Sequence, residues 1–112
     1  MLKKITWKLI SNNKEEFSIE DDFCQYENSI ITYNRDDGKN IIDIANKIYK
    51  RETKEYIMEI DFKNNLCNFI FENKEKCAID IESEFKIVDN NIELLYNFAD
   101  EKKKIIISFK ED

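Results

Sequence analysis

A chain of 112 residues, 42% hydrophobic and 12% aromatic, fits one domain spanning 1–112 and is too apolar for a disordered segment. Its formal net charge of −6 repels an extended polyanion such as nucleic acid over most of the surface. The absence of histidine excludes Ser-His-Asp and Cys-His nucleophilic sites with the usual zinc and haem ligand sets, and a single glycine, Gly38, excludes a Walker A loop and a Rossmann fingerprint.

The first element, "KITWKL", sets Ile5, Trp7 and Leu9 at alternate positions, as in a strand with one buried side. The basic start "MLKKITWKLI" lacks the continuous apolar run of a signal peptide, and no later stretch nears the ~18 apolar residues of a membrane span, so a cytoplasmic protein is expected. Further strands read at about 15–20, 29–34 and 40–50. A helix is the alternative for "NIIDIANKIYKRETKEYIMEI", which is free of Gly and Pro. Its helical stripe is only partial, however, and Ile42, Ile44 and Ile48 fit alternation, so strands joined by a turn near Glu52 to Lys54 are expected.

"KEYIMEIDF" puts Tyr56, Met58, Ile60 and Phe62 on one face, and a strand at about 65–72 follows. "CAIDIESEFKI", residues 77–87, alternates over eleven positions and reads as one long strand. "NIELLYNFA" and "KKIIISF" repeat the pattern with Ile92, Leu94, Tyr96 and Phe98, then Ile105, Ile107 and Phe109. Between the runs stand short polar breaks such as "SNNK", "RDDGK", "ENKE" and "ADEKK", whose Asn and Asp tolerate φ > 0 and can replace glycine in hairpins. Spacings this short leave no room for crossover helices. The expectation is an all-β, antiparallel up-and-down meander of eight or nine strands closing into a barrel, with the strand of Trp7 paired to that of Ile105 and Ile107.

The patterns in "QYENSIITYNRDD", "IDIANKIYKRE", "YIMEIDF" and "CAIDIESEFKI", with the final pair "IELLYNF" and "KKIIISF", resemble the YwiB-like family of uncharacterised bacterial proteins over about residues 26–110. The resemblance implies a calycin-like (lipocalin-like) barrel with no assigned activity, and it puts Arg51 at the family's arginine position. The family tends to follow that arginine with Gly, where this chain has Glu52 and Thr53.

Chemistry-bearing residues are few. Cys24, Cys67 and Cys77 have no Cys-x-x-Cys spacing, and Cys77 falls on the apolar parity of its run, where a buried free thiol is expected. The acidic runs "EDD" at 20–22 and "DIESE" at 80–84 lack EF-hand spacing and read as solvated faces, so no metal site is expected. Lys102, Lys103 and Lys104 read as a turn, and Arg35 as a surface residue paired with Asp36 or Asp37. Arg51 ends an apolar strand, where it can fork onto a ligand carboxylate or hold a structural ion pair. Trp7, Tyr33, Phe85 and Tyr96 fall on inward parity, as packing or as the lining of a cavity.

Together these residues describe a non-catalytic protein binding a small apolar or carboxylated ligand through Trp7, Tyr33, Arg51, Phe85 and Tyr96, with no cofactor, nucleic acid or membrane partner. The alternatives are an acidic interaction module, of inhibitor or immunity type, presenting Asp80, Glu82 and Glu84 with Glu59 and Asp61, and a carboxylate-based enzyme.

Overall fold

The computed structural model describes residues 2–35, 38–89, 91–98 and 100–110. These form eleven strands: β1 (Leu2–Ser11), β2 (Lys14–Glu27), β3 (Ile30–Arg35), β4 (Gly38–Asp43), β5 (Ile48–Glu52), β6 (Tyr56–Asp61), β7 (Leu66–Phe71), β8 (Lys76–Asp80), β9 (Ser83–Val88), β10 (Asn91–Phe98) and β11 (Glu101–Lys110). The chain divides into two compact units, one of residues 24–80 and one joining residues 2–23 to those from 81 onward. No helix among the described residues is long and apolar enough to cross a membrane.

In the first unit the antiparallel order runs β8-β7-β6-β5-β4-β3 and ends on the last residues of β2. One cross-strand row, Ile31–Ile42–Tyr49–Ile60–Cys67–Ile79, forms its core. The first five members are buried, whereas Ile79 on the terminal strand is 38% exposed. In the second unit the order is β9-β10-β11-β1, with the first part of β2 beside β1. Its two apolar rows are Trp7–Ile107–Ile92–Ile87 and Leu9–Ile105–Leu94–Phe85. The expected pairing of the Trp7 strand with that of Ile105 and Ile107 is therefore present. Among the described residues the hydrogen-bonded order of the first unit ends at β8 and that of the second at β9, and the expected closure into a barrel is not shown.

Eleven strands replace the expected eight or nine because two runs that alternate in sequence are each divided. Within 40–50 the chain turns at residues 44–47: the Asp43 carboxylate accepts the Asn46 backbone N–H at 3.1 Å and its Nδ2 at 2.8 Å, and Lys47 takes φ 55°. Ile44, whose spacing imitates a strand position, lies in that turn. The run 77–87 is split at residues 81 and 82, because β8 pairs with β7 whereas β9 pairs with β10.

The turns use the expected substitutes for glycine. Asn12 and Asn13 have φ of 50° and 67°, Asn28 and Ser29 have 53° and 63°, and Asn65, Asp89 and Asp100 are also left-handed. Two successive left-handed residues match the right-handed twist of the flanking strands, which suits two-residue hairpins. The turn near Lys54 is an ST turn, with Thr53 Oγ1 accepting the N–H groups of Glu55 and Tyr56 at 3.2 and 3.1 Å.

Lys102, Lys103 and Lys104 lie in β11 rather than in a turn, so they alternate between faces, and Lys103 and Lys104 are ion-paired to Glu101 and Glu93 at 2.9 and 3.2 Å. The expected pairing of Arg35 with Asp36 or Asp37 lies outside the described residues.

Cys77 corrects its expected burial: its parity is apolar, but pairing puts it on the terminal strand β8, where it is exposed, whereas Cys24 and Cys67 are buried. Burial pushes the Cys67 thiol up to about 11, which suppresses the thiolate further. A thiol-labelling experiment on the folded protein at pH 8 is therefore expected to modify Cys77 at least about ten times faster than Cys67, since the thiolate is the reactive species. Peptide mass spectrometry reads this directly, and equal rates at the two positions would contradict the placement of β8.

Candidate functional site

The densest polar arrangement on the buried face of the first unit forms where β4 and β5 pair. Asn40 is opposite Tyr33 on one side and Arg51 on the other. Both Tyr33 and Asn40 are buried. Alternation brings Tyr49, two residues before Arg51, onto the same face. From there the Tyr49 hydroxyl donates to Asn40 Oδ1 at 2.8 Å, and Arg51 Nη1 donates to the same oxygen at 3.0 Å. One buried amide oxygen thus holds a phenol and a guanidinium.

Gly38, two residues before Asn40, gives the guanidinium its space. A Cβ at Gly38 would lie 2.8 Å from Arg51 Nη2 and 2.9 Å from Cζ, so only glycine lets the planar group lie this close to β4. Lys50 and Glu52, on the opposite parity, pair with each other at 3.1 Å. Among the described residues no ion pair engages Arg51, whose side chain is held instead by the neutral Asn40. Desolvation in this site raises the Tyr49 phenol above its ordinary value, against the opposing effect of the Arg51 charge. The phenol consequently stays protonated and acts as a donor.

The structure thus brings Tyr33 and Arg51 to the two sides of Asn40 and places the other three candidates in the second unit. Trp7 is buried there between its neighbours on β1, opposite Ile107, while Phe85 and Tyr96 are half-buried. Phe85 stands opposite Leu94, and Tyr96 stands opposite Ser83 and Lys103. Lys103 is held by Ser11 Oγ at 2.6 Å and by Glu101 at 2.9 Å, with Glu16 at 3.6 Å. That end of the second unit is a satisfied polar cluster.

Several acidic residues have other work. Asp43 and Asp61 accept turn hydrogen bonds from Asn46 and Asn64, whose side-chain amides, as the largest cause, lower both carboxyl pKa values. Glu82 accepts Asn97 Nδ2 at 3.1 Å, and Glu84 lies 3.7 Å from Lys86 Nζ. Among the described residues no group of three or more acidic or thiol side chains is arranged to hold a metal ion. On the opposite face of the first unit an open groove of about 490 Å³ runs over Lys50, Ile57, Glu59, Asn68 and Ile70 to Ala78.

Sequence reasoning missed Gly38, Asn40 and Tyr49. Asn40 carried a usable signal, because it shares parity with Ile42, and a polar amide on a buried parity must find partners. Compared with protein-family models, with curated proteins and with solved structures, the chain finds no match in any of the three.

Proposed function

We propose that residues 24–80 form a non-catalytic binding unit for a small, partly apolar carboxylate, with Arg51 as the anion anchor. The observation that carries this reading is the half-buried guanidinium spread beside Gly38 and fixed by neutral Asn40. A planar cation with spare donors suits a carboxylate, since charge-assisted pairs are about twice as strong as neutral ones. Half-buried Met58, opposite Arg51 in the register, supplies apolar surface on the same face, while Tyr33, Tyr49 and Ile42 are buried there. A catalytic role for Tyr49 is disfavoured, because a phenol held protonated and donating to Asn40 is not a general base. The YwiB-like resemblance carries no activity and adds nothing to the reading, which assigns no ligand contact to Trp7, Phe85 or Tyr96. An acidic face for a basic protein partner finds less support, since Glu82 and Glu84 are already engaged by Asn97 and Lys86.

Calorimetric titration with matched pairs, a medium-chain carboxylate and its neutral amide, tests the proposal. Arg51→Ala is expected to weaken the carboxylate by about 1.5–3 kcal/mol, roughly ten- to a hundred-fold, and to leave the amide nearly unchanged. Gly38→Ala is a second probe: its methyl displaces the flexible end of Arg51, at a stability cost below about 1 kcal/mol, and lowers carboxylate affinity in the same selective way. Equal losses for acid and amide, or no saturable binding of either, would remove Arg51 from the role.

A further inference from the structure

The terminal strand of the first unit, Lys76–Asp80, is exposed at all five residues, has no Pro or bulge, and among the described residues pairs only with β7. Its free side can be deduced from the hairpin before it. Phe71 N–H donates to the Glu75 carbonyl at 2.9 Å, which makes Phe71 and Glu75 a hydrogen-bonded pair. Such pairs alternate along an antiparallel ladder, so Glu75, Cys77 and Ile79 turn their backbone groups toward β7, while Lys76, Ala78 and Asp80 turn theirs away. An edge of this kind is a template for another strand.

We infer that this edge is a symmetric docking surface for a second copy of the chain, pairing β8 with β8 antiparallel about Ala78. The charge pattern selects that occupant. Lys76 and Asp80 stand two residues either side of Ala78, so a two-fold axis at Ala78 sets Lys76 of each copy opposite Asp80 of the other. The same three residues whose backbone groups face outward then form the hydrogen-bonded pairs, and no side chain larger than a methyl sits on the axis. A parallel arrangement would instead oppose Lys76 to Lys76 and Asp80 to Asp80. Pairing also covers Cys77 and Ile79, which the monomer leaves exposed. This surface is separate from the Arg51 site and does not depend on it.

Sedimentation velocity of the full chain from about 10 μM to 1 mM should show a concentration-dependent monomer–dimer equilibrium. Lys76→Asp and Asp80→Lys should each weaken dimerisation by about ten-fold or more, because symmetry repeats every like-charge contact. The double exchange Lys76→Asp with Asp80→Lys should restore wild-type association, with melting temperatures matching throughout. Independently, Ala78→Cys in a Cys77→Ser background should give a disulfide-linked dimer on mild oxidation, since Cα atoms of a hydrogen-bonded pair lie about 5.5 Å apart, within disulfide range. A wild-type chain that stays monomeric at 1 mM, a double exchange that fails to restore what the single changes lose, or no cross-link at position 78 would each overturn the inference.

Discussion

Replacing Leu94 with alanine is expected to lower the free energy of unfolding by about 2–5 kcal/mol, whereas Ile87→Ala should cost less than about 1 kcal/mol. Both residues are aliphatic, both sit on the apolar parity, and both belong to cross-strand rows of the second unit. They differ in place. Leu94 is fully buried on β10 with Phe85 and Ile105 opposite it, so its removal forfeits transfer energy and leaves a cavity that neighbours on three strands fill only in part. Ile87 is 60% exposed on β9, the strand at which that unit's pairing ends, and water already covers most of its side chain. Phe85, half-buried on the same strand, should fall between them rather than at the full cost of a core phenylalanine. Urea unfolding at constant m-value measures all three losses. Similar values for Leu94→Ala and Ile87→Ala would mean that the exposure of β9 is wrong.

The same contrast marks the limit of what alternation can say. Period two correctly placed Ile5, Trp7, Ile60, Leu94 and Ile107 on buried faces, because the pleat sends every second side chain to one side whatever lies beyond it. It could not distinguish Leu94 from Ile87, or Cys67 from Cys77, since burial also depends on whether a strand is central or terminal in the order, and that is set by pairing between distant segments. The division at residues 81 and 82 was hidden for the same reason: no Gly or Pro stands there, and only the change of partner from β7 to β10 divides the run. The turn at 44–47 was legible in hindsight. "DIAN" and "DFKN" are the same device, an Asp whose carboxylate holds the Asn three residues later; Lys63 and Asn64 make the second a polar break, while Ile44 disguises the first. At the candidate site, Arg51 stood out as one of two arginines, but what positions it did not, because a hydrogen bond from β5 to Asn40 on β4 and the clearance over Gly38 are facts of register.

Raising the pH from 9 to 11 is expected to remove about 3 kcal/mol or more of stability through two buried acids of the first unit. Cys67, enclosed in the row between Ile60 and Ile79, has its thiol pushed from 9.0 up to about 11, first by burial and then by the neighbouring Cys77 sulfur. Tyr49 is raised from its ordinary value of 10.0, again first by burial. Below pH 9 both groups are protonated in the folded and unfolded chains alike, and their contribution is fully present. Above it the unfolded chain releases protons that the folded chain retains, so unfolding is favoured increasingly, by up to about 1.4 kcal/mol per pH unit for each group. The thiol acts across pH 9–11, and the phenol adds its share from pH 10 upward. Lysine titration is common to every variant, so the comparison isolates the two acids: Cys67→Ala should flatten the loss between pH 9 and 10, and Tyr49→Phe the loss above 10. Tyr49→Phe also removes one of the two donors to Asn40, but Arg51 Nη1 still satisfies that oxygen, so its cost at neutral pH should stay near 1 kcal/mol. Urea titrations at pH 8, 9.5 and 10.5 supply the slopes. If wild type and Cys67→Ala lose stability in parallel between pH 9 and 10, the thiol ionises as readily in the folded protein as in the unfolded one, and the closed row around it is not as tight as its burial implies.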